Sequence, residues 1–156
     1  MRDEILSAYR AALAAVDPER ATRAALERRT LRPGAIWVAA LGKAAPAMAR
    51  GAVDAVGDRF QEALVVTDHA ETVPDGCTLL LGSHPRPDGR SLTAGRALLS
   101  FVAEVPPADT LLVLVSGGGS ALAEVPAPGL GVETLADLIE DLMSAGTPID
   151  ELNIVR

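Results

Sequence analysis

The residues best suited to chemistry sit in four short segments. The densest is Ser116-Gly117-Gly118-Gly119-Ser120. A run of glycines leaves backbone N–H groups uncovered and free to take positive φ, so they can wrap a phosphate or carboxylate, while Ser116 and Ser120 add hydroxyls. The same segment also reads as a tight strand-to-helix turn. It lacks the Gly-Lys-Ser/Thr ending of a P-loop. It is also short of a dinucleotide fingerprint, because Gly117-x-Gly119 has Leu122 where a third glycine belongs. The second segment is Gly42-Lys43. An ammonium beside a helix amino terminus is poorly placed unless an anion shares the position, and Lys43 is the single lysine among 14 basic residues. The alternative is a solvated lysine at a helix start. The third holds His84, Arg86 and Asp88, stiffened by Pro85 and Pro87 for acid–base work, substrate contact or metal binding through the Asp88 carboxylate. Asp88 equally suits a turn or helix cap, and His84 structural packing. Asp68-His69 is a fourth, smaller pair. Cys77 reads as a buried strand residue, and Glu133, Asp137, Glu140 and Asp141 as a solvated helix face.

These segments need elements to position them. Nearly continuous apolar runs at 35–41, 63–67, 78–81 and 110–115 predict strands covered on both faces. Helices are predicted over 44–56 and 91–102, between strands one and two and between three and four, and this alternation implies a parallel α/β sheet with helices on both faces. Residues 1–32 form a helical lead-in, a pair broken and restarted at Asp17-Pro18. A stripe of Leu135, Leu138, Ile139 and Leu142 predicts a further helix, and Thr147-Pro148 opens another that has barely begun at Arg156. That pattern leans towards a chain cut from a longer one. In open parallel sheets ligands bind beyond the strands' carboxyl ends, where all four segments lie.

Composition narrows the function classes. The chain has 156 residues, a formal net charge of −7 and 3% aromatics, enough for one domain or half of a larger one. With a pI near 4.8 and almost no aromatic platform, nucleic acid is excluded as a partner. One cysteine gives neither an intrachain disulfide nor a metal-ligand set, and no apolar run approaches membrane-spanning length. A cytoplasmic location and no membrane partner are expected.

Taken together, Gly42-Lys43-Ala44-Ala45 with Met48-Ala49-x-Gly51, Leu64-Val65-Val66-Thr67, His84-Pro85-x-Pro87-Asp88, Leu114-Val115-Ser116-Gly117-Gly118-Gly119-Ser120-Ala121-Leu122 and Leu152-Asn153-x-Val155-Arg156 resemble the class II glycerate 2-kinases, the MOFRL family. The resemblance spans almost the whole chain. It implies ATP- and Mg2+-dependent phosphorylation of D-glycerate to 2-phosphoglycerate, in a cleft between a Rossmann-like amino-terminal domain, here residues 1–156, and a smaller carboxyl-terminal one absent from this chain. On that reading Lys43 meets a phosphate or the substrate carboxylate, and Gly42 with Ser116 to Ser120 forms the anion nest. His84 or Asp88 orients or deprotonates the attacking hydroxyl, or Asp88 holds the metal, and Asn153 and Arg156 add contacts from the next helix. The segment Thr67-Asp68-His69-Ala70-Glu71 departs from the family, which often has a basic residue and a Tyr-Gly-His-like turn there; no role is carried over to it. Apolar surface meant for a second domain would serve a homodimer. A hydroxypyruvate reductase, a label borne by relatives of this family, and a non-catalytic phosphosugar- or nucleotide-binding module are the competing readings. The incomplete glycine fingerprint counts against the reductase.

Overall fold

A computed structural model describes residues 1–155, so Arg156 lies outside the described residues. The chain begins with α1 (Arg2–Ala15) and α2 (Pro18–Glu27), divided at Asp17-Pro18 as the sequence predicts. Asp17 caps α2, accepting the Arg20 N–H at 2.9 Å, and Pro18 fills a first-turn position where its missing N–H costs nothing. The two helices of the pair fare differently. α2 packs on α3 (Ala45–Val56) so closely that a β-carbon on Gly51 would lie 2.1 Å from the Glu19 carbonyl oxygen. α1 buries none of its residues, and Ile5, Tyr9, Leu13 and Val16 are all more than half exposed.

Four strands follow: β1 (Ile36–Leu41), β2 (Phe60–Thr67), β3 (Cys77–Leu81) and β4 (Thr110–Val115). They pair in parallel in the order β3-β2-β1-β4. α3 crosses from β1 to β2, and α4 (Gly89–Glu104) from β3 to β4. The chain therefore builds outward from β1 in one direction and then returns to β1's other side. That reversal opens a crevice between the carboxyl ends of β1 and β4, where ligands bind in open α/β sheets. Leu41 and Val115 are register partners, so the two strands end abreast.

Alternation along β1 sorts the core. Ile36, Val38 and Ala40 join Ala63, Val65 and the small faces of Ala45, Ala49 and Ala52 on one side; Ala39 meets Leu64 and Phe101 on the other. Asp109 ties the start of β4 to β1, accepting the Ala35 N–H at 2.9 Å and the Trp37 indole N–H at 3.0 Å. The expectation that every strand is covered on both faces fails at β4. Leu112 and Leu114 pack into the core under α3 and Leu111 packs with Phe101 of α4, whereas Val113 and Val115, further along the same face as Leu111, are 61% and 63% exposed. A continuous apolar run cannot distinguish these cases, since valine serves either face. β2 also starts three residues earlier than predicted, at Phe60, and α4 two residues earlier, at Gly89. Beyond β4 come α5 (Gly119–Leu122), α6 (Val132–Ser144) and α7 (Ile149–Val155), which packs on α6 through Leu152.

Candidate active site at the carboxyl edge of the sheet

The loops after β1 and β4 are laced together. The amides of Gly42, Lys43 and Ala44 donate in turn to the Val66 carbonyl at 3.0 Å, the Gly117 carbonyl at 3.0 Å and the Ser116 hydroxyl at 3.1 Å. Ser116 Oγ donates in turn towards the Leu41 carbonyl at 3.4 Å. The Ser116 hydroxyl, expected among the anion donors, is thus occupied inside the protein, holding the entry to α3. Gly42 is corrected in the same way. It is buried at φ +119°, and a β-carbon there would lie 2.3 Å from Ser116 Oγ, so its part is to let the two loops touch.

What faces outward from this junction is a cation, an imidazole and a glycine. Gly118 takes φ +88° to turn the chain from β4 into α5, whose first amides have no intrahelical acceptor. A β-carbon on Gly118 would stand 3.0 Å from His84 Cδ2, 3.3 Å from His84 Nε2 and 3.5 Å from Lys43 Cε. Lys43 and His84, from loops 41 residues apart in sequence (84 − 43), therefore converge over one glycine. Both side chains are exposed, as are Gly117 and Ser120, while Gly119 is buried against Leu41.

The loop carrying His84 is rigidly held, with a cis His84–Pro85 peptide. Ser91, fully buried, accepts the Ser83 N–H at 3.1 Å and the Asp88 N–H at 3.3 Å. Asp88 is the amino-terminal cap of α4, taking the Arg90 N–H at 2.8 Å and the Arg90 guanidinium at 3.1 Å. Partial burial works to raise its pKa, but the bonds from Arg90 outweigh it and leave the carboxyl below its usual range. Both oxygens are engaged, which favours the cap over the acid–base or metal-holding role. Arg86 reaches away to α6, where it pairs with Asp137 and Glu140 of an exposed acidic face. Asn153 is exposed on α7, and Cys77 is a half-buried free thiol whose pKa burial raises.

The Asp68-His69 pair belongs to a charge network whose extension through Glu71, Arg50 and Glu19 the sequence does not signal. His69 Nδ1 lies 2.8 Å from Asp68 and 3.3 Å from the buried Thr67 hydroxyl, and its Nε2 lies 3.1 Å from Glu71. Glu71 continues to Arg50 of α3 at 2.7 Å, and Arg50 to Glu19 of α2 at 2.8 Å. Asp68 raises the His69 pKa, with Glu71 adding to it; His69 first, and the Lys43 charge last, lower that of Asp68. Arg50 and Glu71 are separated by 21 positions, and no local pattern signals the pair.

This is the architecture of a doubly wound α/β domain with a crevice at its switch point. The chain belongs to the family described as Domain of unknown function (DUF4147), whose model matches residues 4–156. It is 35% identical over 144 residues to D-glycerate 2-kinase of Thermotoga maritima, covering 91% of this chain and 34% of that protein. Against glycerate 2-kinase of Picrophilus torridus it is 30% identical, covering 99% of this chain and 38% of the relative. A crystal structure of glycerate kinase from Thermotoga maritima matches with a TM-score of 0.83 at 34% identity, over 92% of this chain and 35% of that one. The chain thus spans little more than a third of the length of these relatives.

Proposed function

We propose that this chain forms the Rossmann-like wall, residues 1–156, of a two-domain glycerate 2-kinase, transferring the γ-phosphoryl group of ATP to the 2-hydroxyl of D-glycerate. The carrying observation is the convergence of Lys43 and His84 on Gly118 at the switch point, in a chain whose relatives bear that name. Phosphoryl transfer asks the protein chiefly for positioning and compensation of charge. Lys43 supplies the cation for a phosphate or for the glycerate carboxylate, against a chain of net charge −7. The amides from Gly117 to Ser120 form the nest, with space over Gly118 that a β-carbon would fill. His84 accepts or orients the hydroxyl proton. Asp88, by capping α4, keeps that imidazole in place. Asn153 on α7, and Arg156, which lies outside the described residues, take the binding role the resemblance gives them.

ATP supplies the transferred phosphoryl group when bound. Magnesium is a different matter: no group of three or more His, Cys, Asp or Glu side chains suited to a metal ion occurs among the described residues, and Asp88 is engaged. Mg2+ would therefore enter on the ATP phosphates, which with waters and one or two carboxylates are its usual ligands. No helix among the described residues is long and apolar enough to cross a membrane, and with a free thiol at Cys77 we place the reaction in the cytoplasm. A homodimer would use the uncovered side chains of α1; light scattering over a tenfold concentration range gives the stoichiometry.

The test is ATP- and glycerate-dependent turnover by the full-length protein, with the product resolved as 2- or 3-phosphoglycerate. Lys43→Arg is expected to lower turnover at least about tenfold, because a planar fork cannot reproduce the compact charge. Activity retained within about threefold would remove Lys43 from the centre. The chain of residues 1–156 alone is expected to be inactive. A relative in Agrobacterium vitis, 36% identical over 79% of this chain, carries a hydroxypyruvate reductase name. Saturable NADH binding, read by fluorescence, would favour that reading over the kinase.

A further inference from the structure

One buried hydroxyl lies where the His84 loop meets the turn built on Gly118, and the proposed function gives it no part. Ser91, in the first turn of α4, is fully buried. Its Oγ accepts the Asp88 N–H at 3.3 Å, the return bond of the α4 capping box, and that bond alone would make it an ordinary helix residue. Two further bonds lie outside the box. The same oxygen accepts the Ser83 N–H at 3.1 Å and donates towards the Ser83 carbonyl at 3.5 Å, so the segment from Ser83 to Asp88, with His84 inside it, closes on a single atom. The Ser91 carbonyl in turn accepts the Glu124 N–H at 3.1 Å, just beyond α5. Ser91 therefore holds the His84 loop by its side chain and the exit of α5 by its backbone.

Gly82 tightens the same joint from the β3 side. It is buried immediately before Ser83, and a β-carbon there would lie 2.0 Å from the carbonyl oxygen of Leu122, the last residue of α5. Backbone thus meets backbone where the two loops pass. Arg90 adds an outer brace, donating to Ser83 Oγ and to Asp88, each at 3.1 Å. That brace is exposed and shares its groups with water, whereas the Ser91 hydroxyl is sealed from it.

We infer that Ser91 is a positioning residue for His84: its hydroxyl fixes the imidazole over Gly118, at the opening of α5. Without that oxygen the amides of Ser83 and Asp88 lose their acceptor, and the loop must shift to find others. Small shifts count here. The ring atoms Cδ2 and Nε2 stand 3.0 and 3.3 Å from the place a Gly118 β-carbon would take, and a misplacement of about 1 Å at reacting groups can cost on the order of 100-fold in rate. The link to chemistry rests on the proton role given to His84 under the proposed function, but the geometry is tested without turnover.

In the chain, the nuclear Overhauser contact between the His84 Hδ2 proton and the Gly118 α-protons reports the position of the ring. Wild type is expected to show it. Ser91→Ala is expected to lose it, as is Ser91→Cys, which keeps a side chain in the cavity but offers only a weak acceptor. Thr93→Ala, which removes another α4 hydroxyl bonded to the Gly89 carbonyl, is expected to retain it, and circular dichroism melts verify that each variant is folded. In the full-length protein Ser91→Ala should lower kcat at least about tenfold while the KM values for ATP and glycerate stay within about threefold, a split that a general loss of stability does not produce. An undiminished His84–Gly118 contact in folded Ser91→Ala or Ser91→Cys, or its equal loss in Thr93→Ala, would overturn the inference. Loss of the contact with kcat unchanged would count against the proton role of His84 and leave the positioning standing.

Discussion

Lys43, His84 and Gly118 carry the account at the residue scale, and the two glycines flanking this junction separate contact from support. Gly42→Ala places a β-carbon 2.3 Å from Ser116 Oγ and 2.5 Å from its carbonyl oxygen, at φ +119°, with backbone on the far side that cannot yield. Urea unfolding is expected to show a loss of about 2–4 kcal/mol. Gly118→Ala also carries a left-handed penalty, about 1–2 kcal/mol. Its β-carbon, however, meets the movable ends of His84 and Lys43. Its larger effect is expected on ligands: phosphate affinity, followed by titration calorimetry, should fall at least about fivefold. Residue types pointed to this place from the sequence alone, since a lone lysine and a triple glycine stand out in any chain. The Ser116 hydroxyl did not reveal its partner. A serine before glycines looks the same whether it faces a phosphate or, as here, the Ala44 N–H from across the sheet.

Among the elements, α4 and the β2 loop govern how the site is held. Asp88→Ala removes the α4 cap and is expected to cost about 1 kcal/mol in unfolding experiments, whereas Asp88→Asn, an equally good cap, should stay within about 0.5 kcal/mol of wild type. If Asp88 only caps, Asp88→Asn also retains turnover; a hundredfold loss would return it to the chemistry. The β2 loop adds a pH dependence. His69 is raised above 6.5, so its stabilisation is full below that value and is lost as pH rises through the folded-state pKa. Glu71 and Asp68 are lowered from 4.5 and 3.8, so theirs is present above those values and is lost as pH falls through the folded-state pKa values. The melting temperature should therefore be highest between pH ~5 and 6.5, and His69→Gln should flatten the alkaline side. With His69 half exposed, screening keeps the change below about 1 kcal/mol. Strand and helix alternation was readable because apolar runs and turn residues are local signals. The short α5, and the fate of β4's Val113 and Val115, were not, because both depend on what packs against them.

For the whole molecule, strand order decides where the chemistry sits. Period and composition predict a parallel sheet, but only the pairing β3-β2-β1-β4 shows that the Gly42-Lys43 and Ser116–Ser120 loops flank the same crevice. Order is set by long-range contacts such as Asp109 to Trp37, 72 positions apart, which no window along the sequence contains. The uncovered stripe of α1 and the open face of β4 lie in a chain with little more than a third of its relatives' length; under the proposed function, the site is one wall of a cleft. That wall makes a definite claim about anions, which 15N NMR can read directly. Inorganic phosphate or ATP titrated into the chain should move the amides of Gly117, Gly118 and Gly119 together with the His84 ring, and Lys43→Met should weaken that response at least about tenfold. Shifts centred on the groove between Pro85 and α6, or a response unchanged by Lys43→Met, would contradict it.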